Sequence, residues 1–210
     1  PINLDLLQYE KELDTKAKIN LKGTHFFDET ITLKLFSLEE NKNKIIIDQL
    51  IFGKNFQVKS FKKINLNYID KDFRKNQLII KNENKIFNLT GSKFNANSLI
   101  DILLNSDDSD NFKLFKEKFN LNIKLEQVFL DKEYTIKNLT GKLNFDENEI
   151  LNGELTAEFS QNKKLKFTVK TNQVEKVTTL FLDEAEPIVS RYKFIKGFKE
   201  GSFDFYSSKK

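Results

Sequence analysis

The sequence predicts a mainly β protein, a long antiparallel sheet that is curved or folded over, with two short helical segments. Three observations predict it. Apolar and polar residues alternate with period two over most of the chain, short polar stretches separate the alternating runs, and only two stretches change to helical spacing. The 210 residues suit one domain with at most a small appendage, and 21 phenylalanines argue against disorder, which goes with few large apolar side chains.

The alternating runs come in order. Ala17, Ile19 and Leu21 stand between Lys16, Lys18, Asn20 and Lys22; Ile31, Leu33 and Leu35 between Thr32 and Lys34; Ile64, Leu66 and Tyr68 between Lys63, Asn65 and Asn67. The clearest run sets Phe119, Leu121, Ile123 and Leu125 against Asn120, Asn122, Lys124 and Glu126. Leu143 and Phe145 follow, then Leu151, Gly153, Leu155, Ala157 and Phe159, then Leu165, Phe167 and Val169, and last Phe203 and Phe205. Successive side chains of a strand point to opposite faces, so each run has one apolar and one wet side. Turns such as Glu40-Asn41-Lys42-Asn43, Asp146-Glu147-Asn148-Glu149 and Gln161-Asn162-Lys163 are short enough for hairpins, which makes neighbouring strands antiparallel. The apolar phase slips by one between Ile136 and Leu139, which predicts a bulge or a break near Asn138.

The helical stretches are 98–104, where Asn97-Ser98 supplies an N-cap before Leu99, and 173–192. In the second, Val174, Val177, Leu180 and Phe181 recur at helical spacing after Asn172, and a further short helix follows Pro187 to about Tyr192. Asn-Leu-Thr-Gly occurs at 88–91 and again at 138–141, as in a meander of similar hairpins. The polar run 105–111 reads as a loop inside one continuous β-rich segment, with sub-units 1–104 and 112–210 on either side. A first residue other than Met gives the expectation that the chain is part of a longer protein.

Composition narrows the chemistry. The absence of cysteine excludes disulfides, thiolate metal sites and thiol redox, and a single histidine, His25, excludes any two-histidine site. His25 sits beside two phenylalanines and reads as structural, at a strand end. Asp107, Asp108 and Asp110 lack the glycine and the spacing of a calcium loop and read as a solvated surface loop. The net charge of +4 comes from 33 lysines and only two arginines, spread along the chain among acids. Nucleic-acid readers lean on clustered arginine, so no nucleic-acid partner is expected. No apolar run reaches the roughly 18 residues of a spanning helix. No enzyme activity, metal or cofactor is expected. What remains is the apolar face, which must be buried in a closed sandwich or left open as a groove or interface; the residues alone leave both open.

The order of elements resembles the C-terminal region of the AsmA-like superfamily, in particular the YhdP-type proteins. The resemblance is carried by the strands from Leu13 into Asn88-Leu89-Thr90-Gly91 and the Ser98 to Leu103 helix, by the paired strands from Phe119 to Phe159, and by the stretch from Leu165 through Tyr192 and Gly197 to Phe205. It implies a periplasmic protein, tethered to the inner membrane by a segment absent from this chain, that binds or conducts phospholipid acyl chains in an apolar β-groove. The residues expected to contact lipid are Phe119, Leu121, Ile123, Leu125, Leu143, Phe145, Leu155, Phe159, Phe167 and Val169. Two alternatives stand beside it: a structural or interaction module acting by strand-edge pairing, and a lipopolysaccharide-bridge-like protein.

Overall fold

In a computed structural model the residues described are 3–4, 7–25, 30–53, 58–98, 118–146, 149–159, 163–192 and 200–209. The chain is mainly β and divides into two compact units, Pro1–Phe94 and Asn95–Lys210. The acidic run 107–110 and the loop 105–111 lie outside the described residues, as does the predicted helix beyond its first residues, where the chain turns helical at Asn97-Ser98.

The N-terminal unit holds β1 (Asn3–Leu4), β2 (Tyr9–Glu10), β3 (Ala17–His25), β4 (Ile31–Glu40), β5 (Asn43–Phe52), β6 (Val58–Ser60), β7 (Lys63–Ile69), β8 (Lys75–Glu83) and β9 (Ile86–Asn95). β1 and β2 pair with each other, β6 pairs with β5, and the main order is β3-β4-β5-β7-β8-β9, every pairing antiparallel. Direct cross-strand partners build apolar rows across the sheet. One runs Ile19–Leu38–Ile45–Leu66–Leu78 and ends on Gly91, and the next runs Leu21–Phe36–Ile47–Ile64–Ile80–Leu89. The core of this unit is Tyr9, Leu38, Ile45, Leu66, Tyr68 and Leu78, with Leu4 and Leu7 packed against it.

The C-terminal unit holds β10 (Phe119–Phe129), β11 (Thr135–Asp146), β12 (Glu149–Glu158), β13 (Lys164–Thr171), β14 (Lys176–Leu182), helix α1 (Glu186–Tyr192) and β15 (Phe203–Lys209). Its strands pair antiparallel in chain order. Of the bulge or break expected near Asn138, the structure has the bulge: the β11–β12 register slips between Lys137 and Thr140, and Asn138 takes a positive φ of 52°.

The helix expected from residue 173 is corrected. Residues 176–182 form β14, paired with β13 on one side and β15 on the other, and within 173–192 the helix is α1. Asn172 does act as a cap, but of a turn. Its Oδ1 accepts from the amides of Val174 (2.8 Å) and Glu175 (2.9 Å), and its own amide donates to Glu175 O (3.0 Å), closing the β13–β14 hairpin. An asparagine offers the same short acceptor to a helix start and to a turn, so the local signal was ambiguous. Seven cross-strand pairs to β13 and seven to β15 then decide for the strand. Pro187 is the second helical residue, where its missing N–H costs nothing.

The repeated Asn-Leu-Thr-Gly plays one structural part twice. Leu89 and Leu139 face inward, Thr90 and Thr140 outward, and Gly91 and Gly141 inward beside a register shift. At both glycines the neighbouring strand comes too close for a side chain. A Cβ at Gly141 would lie 2.0 Å from Glu154 O and 2.7 Å from Leu155 Cδ2, and one at Gly91 2.3 Å from Gln77 O. Since a backbone oxygen cannot swing away, Gly141→Ala should destabilise the C-terminal unit by about 1–3 kcal/mol, read as a lower urea midpoint.

Candidate functional site

The ten residues expected on the lipid-facing side lie on four adjacent strands, β10 to β13, or just past the end of β12 in the case of Phe159. Their direct partners form three rows. Phe119 pairs with Phe145, and the two rings stack with centroids 4.5 Å apart. Leu121 pairs with Leu143, then Gly153, then Val169. Ile123 pairs with Gly141, then Leu155, Phe167, Leu180 and Phe205, one row across six strands. At about 4.8 Å per strand, that row is roughly 24 Å long. An acyl chain filling one leaflet is about 15 Å deep, so the row is long enough to shelter one.

The ten differ in what they offer a ligand. Phe119, Leu121, Ile123, Phe145, Leu155 and Phe167 are half-buried. Leu125, Leu143, Phe159 and Val169 are buried and behave as core. Leu125 begins a fully internal end of the face that continues through Ala157, Leu165 and Leu182 to Ala185 and Val189 at α1. Phe159 instead lines a cleft of about 200 Å³ with Tyr134, Lys137, Glu184 and Pro187, smaller than the roughly 300 Å³ at which small-molecule sites begin. Burial and then the neighbouring Glu186 push the Tyr134 phenol upward, so it stays protonated over the ordinary range.

The sequence reading missed two contributors to the face, Leu180 and Phe205 as the continuation of the Ile123 row. The signal was present in β15, whose Phe203 and Phe205 alternate, but the helix assigned over β14 broke the row before it reached them.

It also missed a polar cluster in the N-terminal unit. Glu40, 1% exposed, accepts from the Tyr9 hydroxyl (2.5 Å), from the Glu12 amide (3.1 Å) and from the Thr15 hydroxyl. Burial alone would raise the Glu40 carboxyl, but the donors from Thr15, Tyr9 and Glu12 outweigh it and hold the group below its ordinary range. In the same unit the buried Asp70 accepts from the amides of Asp72 (3.0 Å) and Arg74 (2.9 Å) and from Asn76 Nδ2 (2.9 Å). These acceptors shape turns and hold a segment in place. They present nothing to a substrate.

His25 is the last residue of β3, exposed and paired across the strands with Ile31. Among the described residues no group of three or more His, Asp or Glu is placed to hold a metal ion, and no helix is long and apolar enough to cross a membrane. Comparison with protein-family models, with curated proteins and with solved structures finds no match to this chain.

Proposed function

We propose that this chain is an AsmA-like segment that binds or conducts phospholipid acyl chains along the apolar face of its sheet, working in the periplasm and tethered to the inner membrane by a segment outside it. The observation that carries this reading is the Ile123–Gly141–Leu155–Phe167–Leu180–Phe205 row, apolar from strand to strand and incompletely covered. A closed sandwich would bury Leu121, Ile123, Leu155 and Phe167, yet each keeps part of its surface in contact with solvent. A ligand laid on the row gains about 0.8 kcal/mol per methylene withdrawn from water. Such a role is passive and asks for no nucleophile, metal or cofactor.

The test is photo-crosslinking in the presence of phospholipid vesicles. A crosslinking residue at Leu121 or Ile123 should capture phospholipid several-fold more than one at Asn122 or Lys124, which point to the opposite face. Equal capture on both faces, or none on either, removes the basis of the proposal.

A second reading has its own observation. β15 pairs only with β14 among the described residues, and it carries Phe205 and Tyr206 at 42% and 65% exposure. An edge with unpaired backbone groups and exposed aromatics suits strand addition by another chain. A proline at Tyr206 would separate the readings, since it blocks edge pairing while leaving capture at Ile123 intact.

A further inference from the structure

Two of the long strands have a single neighbour among the described residues. β3 pairs only with β4, and β15 only with β14. Natural sheet edges are commonly blunted by proline or by a bulge. Neither strand contains proline, and the extra residue at the β3–β4 register shift, Lys34, belongs to β4. Both edges instead leave large apolar side chains open on the apolar face of their unit: Ile19 and Leu21 are 50% and 61% exposed, and Phe205 is 42% exposed.

Charge and register show which strand suits which. β3 carries Lys18 and Lys22 on its wet face and no acid, whereas β15 carries Asp204 on its wet face, and all three are exposed. A second β3 is a poor partner. Paired about Asn20, it sets Lys18 against Lys22, and like charges directly opposite are destabilising. β15 placed antiparallel on β3, with all seven of its residues used and the apolar sides kept together, has two registers. One sets Phe203 against His25 and Asp204 against Thr24. The other sets Phe205 against Leu21, Tyr206 against Asn20, Asp204 against Lys22, and Phe203 against Gly23, an edge glycine that a cross-strand aromatic covers. Only the second brings the acid onto a lysine and the open phenylalanine onto the open leucine.

We propose that copies of this chain join head to tail, β15 of one copy pairing antiparallel with β3 of the next in that second register. This inference rests on the strand-edge reading of β15 and names its partner, a second copy; it does not depend on lipid. The contact is heterologous, so copies build an open row or a closed ring rather than a symmetric dimer. It also joins two apolar rows. The Ile123 row ends on Phe205, and Leu21 of the next copy begins the row that runs to Leu89.

The chain has no cysteine, so single engineered cysteines report on pairing alone. Tyr206→Cys and Asn20→Cys proteins, each the full chain with Asp204 and Lys22 in place, are mixed under mild oxidation. Direct antiparallel partners have Cα atoms about 4.5–5.5 Å apart, within disulfide reach, whereas positions offset by two residues are about 7–8 Å apart and outside it. The mixture should give several-fold more disulfide dimer than Tyr206→Cys with Lys18→Cys, and several-fold more than either protein alone. Lys22→Asp in the Asn20→Cys copy should cut the yield several-fold. Asp204→Lys in the Tyr206→Cys copy should then restore it, which a loss of folding would not allow. Equal yield with Lys18→Cys, or no rescue by the exchanged charges, would overturn the register and the proposal with it. More dimer from Tyr206→Cys alone than from the mixture would overturn the head-to-tail order while leaving β15 a pairing edge. No disulfide in any mixture would overturn assembly between copies and leave β15 to a foreign chain, for which Tyr206→Pro is the test.

Discussion

Glu40→Leu should cost the N-terminal unit roughly 3 kcal/mol or more, while Glu39→Leu, one position away, should leave the urea midpoint within error. The difference lies in what each carboxylate serves. Glu39 is exposed and pairs with Lys44 at 2.8 Å, an ion pair that water and salt replace with little loss. Glu40 is buried and is the shared acceptor for the Tyr9 hydroxyl, the Thr15 hydroxyl and the Glu12 amide. Leucine would leave three donors facing an apolar side chain, the Tyr9 hydroxyl among them fully buried, and a buried donor left unpaired costs about 1–3 kcal/mol. Tyr9 would lose its anchor as well, although its ring still meets Tyr68 edge-on at 5.9 Å. Since whole domains are stable by only about 5–15 kcal/mol, the loss is a large share of the total.

The same carboxylate gives the unit a pH dependence of fixed sign. The folded-state pKa of Glu40 is held below its unfolded value, so its contribution is fully present above about pH 4.3 and disappears as the pH falls through the folded value. Tyr9 and Tyr68 act in the opposite direction. Burial first, then Glu40 and Glu12 for Tyr9 and Asp70 for Tyr68, raises both phenols. Their contribution is complete below about pH 10 and is lost as the pH climbs above it. Stability of the N-terminal unit should therefore show a plateau with an acid limb, and Glu40→Gln should flatten that limb when unfolding is followed by Tyr fluorescence.

The strands were legible wherever one face is wet. In β10 the strict alternation from Phe119 to Glu126 gave the face, because a one-residue slip would have turned every apolar side chain to water. The bulge at Asn138 was legible for the same reason, as a broken phase. β14 was not. Val177, Thr179 and Phe181 on one side and Thr178, Leu180 and Leu182 on the other leave little contrast between faces, so helical spacing fitted the residues as well as strand spacing did. Only pairing with β13 and β15, which no local window contains, resolves it. The Glu40 cluster was illegible for a different reason. Tyr9, Glu12 and Thr15 meet Glu40 across 25 to 31 residues of chain, and a glutamate at a strand end beside a polar turn looks like surface. The ten residues proposed to meet lipid were legible as a face but not by depth. Alternation says which side a residue takes, whereas Leu125 and Leu143 being core and Leu121 and Ile123 being half-open depends on what lies above them.

Depth is what makes Ile123 the position where one charge should do most to the proposed function. Ile123→Asp puts a carboxylate at one end of the six-strand row, opposite Gly141, which has no side chain to screen it. An acyl chain lying on Leu155 and Phe167 would have to leave that charge in water, retreating from the near end of the row, because burying an unpaired carboxylate under hydrocarbon costs far more than the contact returns. Losing even two methylenes of contact costs about 1.6 kcal/mol, or roughly fifteenfold in affinity. Crosslinking at Leu155 in the Ile123→Asp protein should therefore drop by at least about tenfold. Lys124→Asp makes a larger change in charge on the opposite face and should leave capture unchanged. Because Ile123 is half-buried, the aspartate will also cost some stability, so the urea midpoint is measured on the same samples, and Ile123→Asn supplies the polar control without the charge. Capture that falls equally in the Asp and Asn variants, in step with the midpoint, would mean that Ile123 is an ordinary core residue. Capture that follows the charge, in proteins of matched stability, is what an acyl-binding face requires.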